Sequence, residues 1–178
     1  GYDINEVAGK VSYEEVVYLL WNGKLPNKTE LENCRDTLRS ERELPQDVID
    51  FLKKAPKKAE PMDVIRTAVS MLGVYDPEMD QEATPELNKK RARSITAKIG
   101  VIAAYFHRAR NGKDLPPVRD DLGQAAHFLY LMSGDAPSQE AADPPHVPFV
   151  PHAAPGLTAP TCCAQVPTAP LRPRCHSC

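Results

Sequence analysis

Proline divides this chain. Nine of the eighteen prolines fall within residues 144–178, beside four of the five cysteines, and no Asp or Glu occurs there. A proline inside a helix removes a hydrogen bond and clashes with the preceding turn, at about 3 kcal/mol or more. Pro144, Pro145, Pro148 and Pro151 in close succession therefore outweigh the roughly 5–15 kcal/mol net stability of a whole domain. Residues after about 144 are expected to be irregular, whereas 1–143 are free to form one helical unit. A length of 178 residues suits one domain with a tail. The net charge is −2, with 20 Lys+Arg against 24 Asp+Glu in 1–143 and only Arg172 and Arg174 in the tail. Neither balance gives the basic footprint of a nucleic-acid or membrane-surface binder. No apolar run is long enough to span a bilayer. Only Cys34 precedes the tail, which suits a reducing compartment. No signal peptide is visible, although the chain begins at Gly1 rather than Met. A cytoplasmic protein is expected.

Helical spacing runs through 1–143. Ser12 with Glu15 three residues on forms a capping box, and Tyr13, Val16, Val17 and Leu20 make one apolar stripe. Asn22-Gly23 ends that helix. Asn27 caps a second, with Leu31, Cys34 and Leu38 on one face. Pro45 starts a third, carrying Val48, Ile49 and Leu52, and Pro56 stops it. Pro61 opens a fourth, with Met62, Ile65, Val69 and Leu72 as its seam and Gly73 as its end. Residues 75–84 are polar and turn-like. A long helix spans Pro85 to Arg110, with Ile95, Ile99, Ile102 and Phe106 facing one way. Asn111-Gly112 terminates it, and Pro116-Pro117 forms a stiff connector. Asp120 or Asp121 is expected to cap a helix with Leu122, Ala125, Ala126, Leu129 and Met132 inward, closed by Ser133-Gly134. Ser138 starts another. No stretch alternates as a strand does, so the class is all-α, and no internal repeat is present.

Obvious catalytic machinery is missing from 1–143: there is no Gly-rich phosphate loop, no HExxH and no nucleophile elbow. His107 and His127 lie on helices and read as structural or surface histidines. The basic cluster Lys89–Arg93 reads as a solvated helix face rather than a phosphate site. Arg66, three residues after Asp63, suits an ion pair. In the tail, Cys175-x-x-Cys178 has metal-ligand spacing, but adjacent Cys162-Cys163 make a shared tetrahedral site awkward. These cysteines read as accidental, and no metal is assigned.

Four segments in order carry a resemblance. They are Gly1-Tyr2-Asp3-Ile4; Tyr13 to Gly23 (YEEVVYLLWNG) followed by Leu25-Pro26; Pro61 to Gly73 (PMDVIRTAVSMLG); and Ala126 to Gly134 (AHFLYLMSG). Together they resemble the N-terminal half of the citrate synthases, a pattern shared by the 2-methylcitrate synthases. The resemblance covers 1–143. It implies a helical bundle forming part of a large domain in a two-domain, homodimeric enzyme. It also implies condensation of acetyl-CoA with oxaloacetate, with acetyl-CoA as substrate and no resident cofactor. In that family an Asp removes a methyl proton while a His stabilises the enol, the base-plus-oxyanion pairing such chemistry needs. A second His polarises the oxaloacetate carbonyl. All three come from the family's C-terminal half, beyond the matched part.

The family continues with a pattern like His-Ala-(Asp/Glu)-His-x-x-Asn-Ala-Ser-Thr, whose second His contacts oxaloacetate. Here residues 152–161 read HAAPGLTAPT. His152 matches the first His and is the one substrate-binding candidate. Pro155 stands at the second, so no catalytic residue carries over. The tail, 144–178, thus reads as a degraded continuation of the same domain. The chain is expected to be an inactive fragment of a citrate synthase, or of a 2-methylcitrate synthase using propionyl-CoA. A reading from another class is a non-catalytic helical module whose proline-rich tail binds partners.

Overall fold

The computed structural model describes Tyr2, Val7 and residues 10–135. Six long helices account for most of them: α1 (Tyr13–Asn22), α2 (Lys28–Ser40), α3 (Gln46–Lys54), α4 (Pro61–Val74), α5 (Pro85–Arg110) and α6 (Gln124–Ser133). No strand occurs among the described residues, and the class is all-α as expected. The helix expected from Ser138, the tail cysteines and His152 lie outside the described residues.

Local chemistry sets most of the ends. At α1 the Ser12 N–H donates to the Glu15 carboxylate at 2.6 Å, and the Glu15 N–H donates to Ser12 Oγ at 3.3 Å. Asn27 and Glu30 repeat this reciprocal arrangement at α2. Pro61 and Pro85 occupy first-turn positions, where no N–H is needed. Gly23 and Gly134 close α1 and α6 in the left-handed region, at φ 73° and 93°. Gly73 does not act this way. It lies inside α4, which continues to Val74, with Tyr75 as its C-cap.

Helix α5 is the axis of the molecule and packs against α2, α3, α4 and α6. Its second half is buried on nearly every side, through Val101, Ile102, Ala104, Tyr105 and Phe106. Val48 and Leu52 of α3, Val64 and Ala68 of α4, and Tyr130 and Leu131 of α6 complete that core. A smaller cluster joins Val7 and Val16. Full burial of each such aliphatic side chain contributes about 1.5–3 kcal/mol.

Several expected inward residues face out instead. Leu20, Met62, Ile95 and Ile99 are all exposed. On α4 the most buried positions are Val64 and Ala68, one step round from the expected seam; Ile65, Val69 and Leu72 pack at its edge. On α6, Ala126 is buried as expected, but Gln124, His127, Tyr130 and Leu131 are the other deeply placed residues. Neither Asp120 nor Asp121 caps α6. Gly123 is its N-cap, with no side-chain bond of its own, and Asp121 pairs with Arg119. Among the described residues no helix is long and apolar enough to cross a membrane.

Candidate functional site

Two features stand out for chemistry: a groove at one end of the bundle and a buried polar cluster at the base of α6. The groove, about 830 Å³, opens between the start of α3, the end of α4, the connector after it and the first half of α5. The end of α4 and the first half of α5 border it together, with the connector that carries Asp76 and Glu78. Leu44, Val69, Leu72 and Ile95 form apolar walls, and charges crowd the rim.

Those charges neutralise one another. Arg91 Nε donates to Asp76 at 2.7 Å, and its second nitrogen reaches the Glu78 carbonyl at 2.7 Å. Lys90 pairs with Glu78. Arg91 and the Glu78 N–H both bond Asp76, the backbone bond foremost, and they hold its carboxyl below the usual range. Half of the Lys89–Arg93 cluster thus serves to fasten the connector to α5. Lys98 is half-buried and donates to Ser94 Oγ, and burial lowers its affinity for a proton. Ser94 and Lys98 bring a hydroxyl and an amine together in the groove wall.

The buried cluster is assembled from four distant parts of the chain. Glu14 is 5% exposed although it sits between polar neighbours on α1. Its Oε1 accepts the Gln124 N–H at 2.6 Å. A carboxylate 110 residues away therefore caps α6 and meets the positive end of its dipole. The Gln124 side chain accepts from Arg42 Nε at 3.1 Å and donates to the Thr96 and Ala97 carbonyls at 3.2 and 2.9 Å. Arg42, 1% exposed, also donates to the Arg119 carbonyl at 2.8 Å. The Arg119 N–H in turn donates to His127 Nε2 at 3.2 Å.

Burial pushes the Arg42 guanidinium down to about 10, with Glu14 the main opposing influence. It stays charged at neutral pH. Burial, and then the charge of Arg42, push His127 down to about 4. His127 is therefore a neutral acceptor through Nε2, which leaves its proton on Nδ1. The cluster has its hydrogen bonds made internally and works as a joint among α1, the α2–α3 turn, α5 and α6. Nothing in the sequence near Glu14, Arg42 or Gln124 signals this, because no two of them share an element.

The other sequence candidates are scattered. Burial, and then the charges of Lys113, Arg110 and Arg108, lower the proton affinity of His107. Cys34 is half-buried, and burial pushes its thiol up, away from a reactive thiolate. Arg66 and Asp63 pair at 3.3 Å on the surface. No three His, Cys, Asp or Glu among the described residues are placed to hold a metal.

Comparison with known proteins gives a consistent result. The family model described as citrate synthase, C-terminal domain, matches residues 1–170. The chain is 38% identical to citrate synthase 2 of Bacillus subtilis, over 96% of its own length and 46% of that protein's. It is 34% identical to a 2-methylcitrate synthase of Mycobacterium tuberculosis, over 94% of its own length and 42% of the relative's. Its fold superimposes on the crystal structure of citrate synthase from Pyrobaculum aerophilum with a TM-score of 0.76 and 34% identity, covering 92% of this chain and 43% of that one. The chain thus spans about half the length of the curated relatives it matches.

Proposed function

The chain belongs to the citrate synthase family, and we propose that it forms scaffold of a longer synthase that condenses acetyl-CoA with oxaloacetate, releasing citrate and CoA. The observation that carries this reading is the 38% identity spread over 96% of the chain. The buried joint that ties four parts of the bundle together agrees with a supporting role. In this reading acetyl-CoA is a substrate, no resident cofactor takes part, and the base and the enol-stabilising group come from other parts of the enzyme.

On the same reading the 178-residue chain is inactive alone, since Pro155 and Thr158 stand where the family pattern has His and Asn. Incubated with acetyl-CoA and oxaloacetate, the purified chain is expected to release no CoA above the uncatalysed rate. Measurable release overturns its inactivity. The 34% identity to a 2-methylcitrate synthase favours a second substrate, propionyl-CoA. Comparing CoA release from the two thioesters by the longer enzyme decides between them. A second copy is proposed to cover Ile95 and Ile99 of α5, which this chain leaves exposed.

A further inference from the structure

We propose that Lys98 is an acylation site: its amine, held at the groove wall by the Ser94 hydroxyl, takes an acyl group from a small thioester. Ser94 and Lys98 lie four residues apart on α5, so they share one face of the helix. Both line the groove, together with Ile95, and Leu44, Val69 and Leu72 supply its other apolar walls. Lys98 is partly buried there, and its Nζ donates to Ser94 Oγ at 2.5 Å.

The other cations of the groove are already committed. Lys90 pairs with Glu78, and Arg91 with Asp76. Lys98 joins no ion pair among the described residues; its bond is to a neutral hydroxyl. A hydroxyl holds the nitrogen without the strong preference for the charged form that a carboxylate imposes. An amine attacks through its lone pair, so only the unprotonated form reacts, and an ordinary lysine is almost wholly protonated at neutral pH. Removal from water disfavours the ammonium, and burial accordingly lowers the proton affinity of Lys98. Glu41, the C-cap of α2, opposes that shift. Glu43 is the remaining charge on the groove outside the two pairs.

In the step, the Lys98 nitrogen attacks the thioester carbonyl carbon and forms a C–N bond. The C–S bond breaks, and its electron pair leaves on sulfur as a thiolate. The nitrogen gives up one proton, which reaches the thiolate through solvent, so the products are an amide and a thiol. Nothing is oxidised or reduced. The apolar walls suit a short aliphatic acyl chain. The acetyl-CoA of the proposed condensation is one such thioester, and only that choice of donor rests on the condensation reading; the site itself needs no more than a thioester carbonyl.

The test incubates the 178-residue chain with S-acetyl-N-acetylcysteamine and follows acetylation of each lysine by peptide mass spectrometry. At pH 7, Lys98 is expected to react at least about threefold faster than the exposed Lys28 and Lys89, because a lower proton affinity leaves more of the amine free. That advantage is expected to shrink as pH rises and the exposed amines lose their protons too. Ser94→Ala is expected to slow Lys98 about threefold, as loss of one hydrogen bond does, and to leave Lys28 unchanged. Far-ultraviolet circular dichroism confirms that the variant keeps its helices. Equal rates at Lys98, Lys28 and Lys89 overturn the site, and an unchanged Lys98 rate in Ser94→Ala overturns the part given to Ser94. The probe carries no nucleotide and the step needs no oxaloacetate, so failure here is distinct from failure of the condensation.

Discussion

Glu14 does at α6 what Asp120 and Asp121 were expected to do, and the difference has an energetic consequence. A local cap removed from a helix costs about 1 kcal/mol. Glu14→Ala removes more: it leaves the Gln124 N–H without its acceptor at 2.6 Å and takes a negative charge away from buried Arg42. The expected loss is about 2–4 kcal/mol, read as a lower urea midpoint with unchanged slope. Asp121→Ala, at an exposed residue whose side chain pairs with Arg119, is expected to change the midpoint little. His127 adds a pH dependence of definite sign. Its unfolded value is near 6.5 and its folded value about 4. Between those values the unfolded chain binds a proton that the folded chain refuses. The full contribution is therefore present above pH 6.5, and it declines as pH falls toward 4, by about 3 kcal/mol in all. Urea titrations at pH 7 and 4.5 are expected to show a loss about 2 kcal/mol smaller in His127→Asn than in the parent chain. Equal losses would place the acid sensitivity in the carboxylates instead.

At the scale of the helix, the two left-handed glycines separate local strain from tertiary contact. Gly23 at φ 73° has open space where a Cβ would stand. Gly23→Ala is expected to cost only the left-handed penalty, about 1 kcal/mol. At Gly134, φ 93°, a Cβ would sit 2.9 Å from Arg108 Nη1. That guanidinium is held by the Asp114 carbonyl at 2.5 Å and the Met132 carbonyl at 3.3 Å. Gly134→Ala must displace it, so a loss of about 2 kcal/mol or more is expected. Thermal melts of the two variants compare them directly, and equal shifts would assign Arg108 no part in closing α6. These ends also show what a sequence can disclose. Ser12 with Glu15, Asn27 with Glu30, Pro61 and Pro85 mark helix starts within three residues of the helix they govern, and each start was legible. The start of α6 was not, because its capping group comes from α1. The same holds for the whole buried joint: Arg42 and Gln124 meet across 82 residues, and pairing at that range leaves no local pattern.

For the molecule as a whole, the misplaced residues of α5 are the informative ones. Apolar spacing put Ile95, Ile99, Ile102 and Phe106 on one inward stripe. The last two are buried at 0% and 2%, and the first two are 37% and 41% exposed. Periodicity identifies a face that avoids water, but not whether the covering element belongs to the same folded unit. Beyond Gly100, neighbours surround α5; before it, the helix borders the open groove. Ile95 and Ile99 therefore contribute little to the stability of this bundle and much to whatever covers them. Ile99→Asp is expected to change unfolding free energy by no more than about 0.5 kcal/mol, as surface substitutions do. In sedimentation velocity the parent chain is expected to self-associate with rising concentration, and Ile99→Asp to stay monomeric at the same loading. A desolvated aspartate disfavours an apolar contact by several kcal/mol, so even a modest interface at this face must respond. Loss of folding in the variant would instead place Ile99 in the core of the bundle, and unchanged association would move the contact to another face.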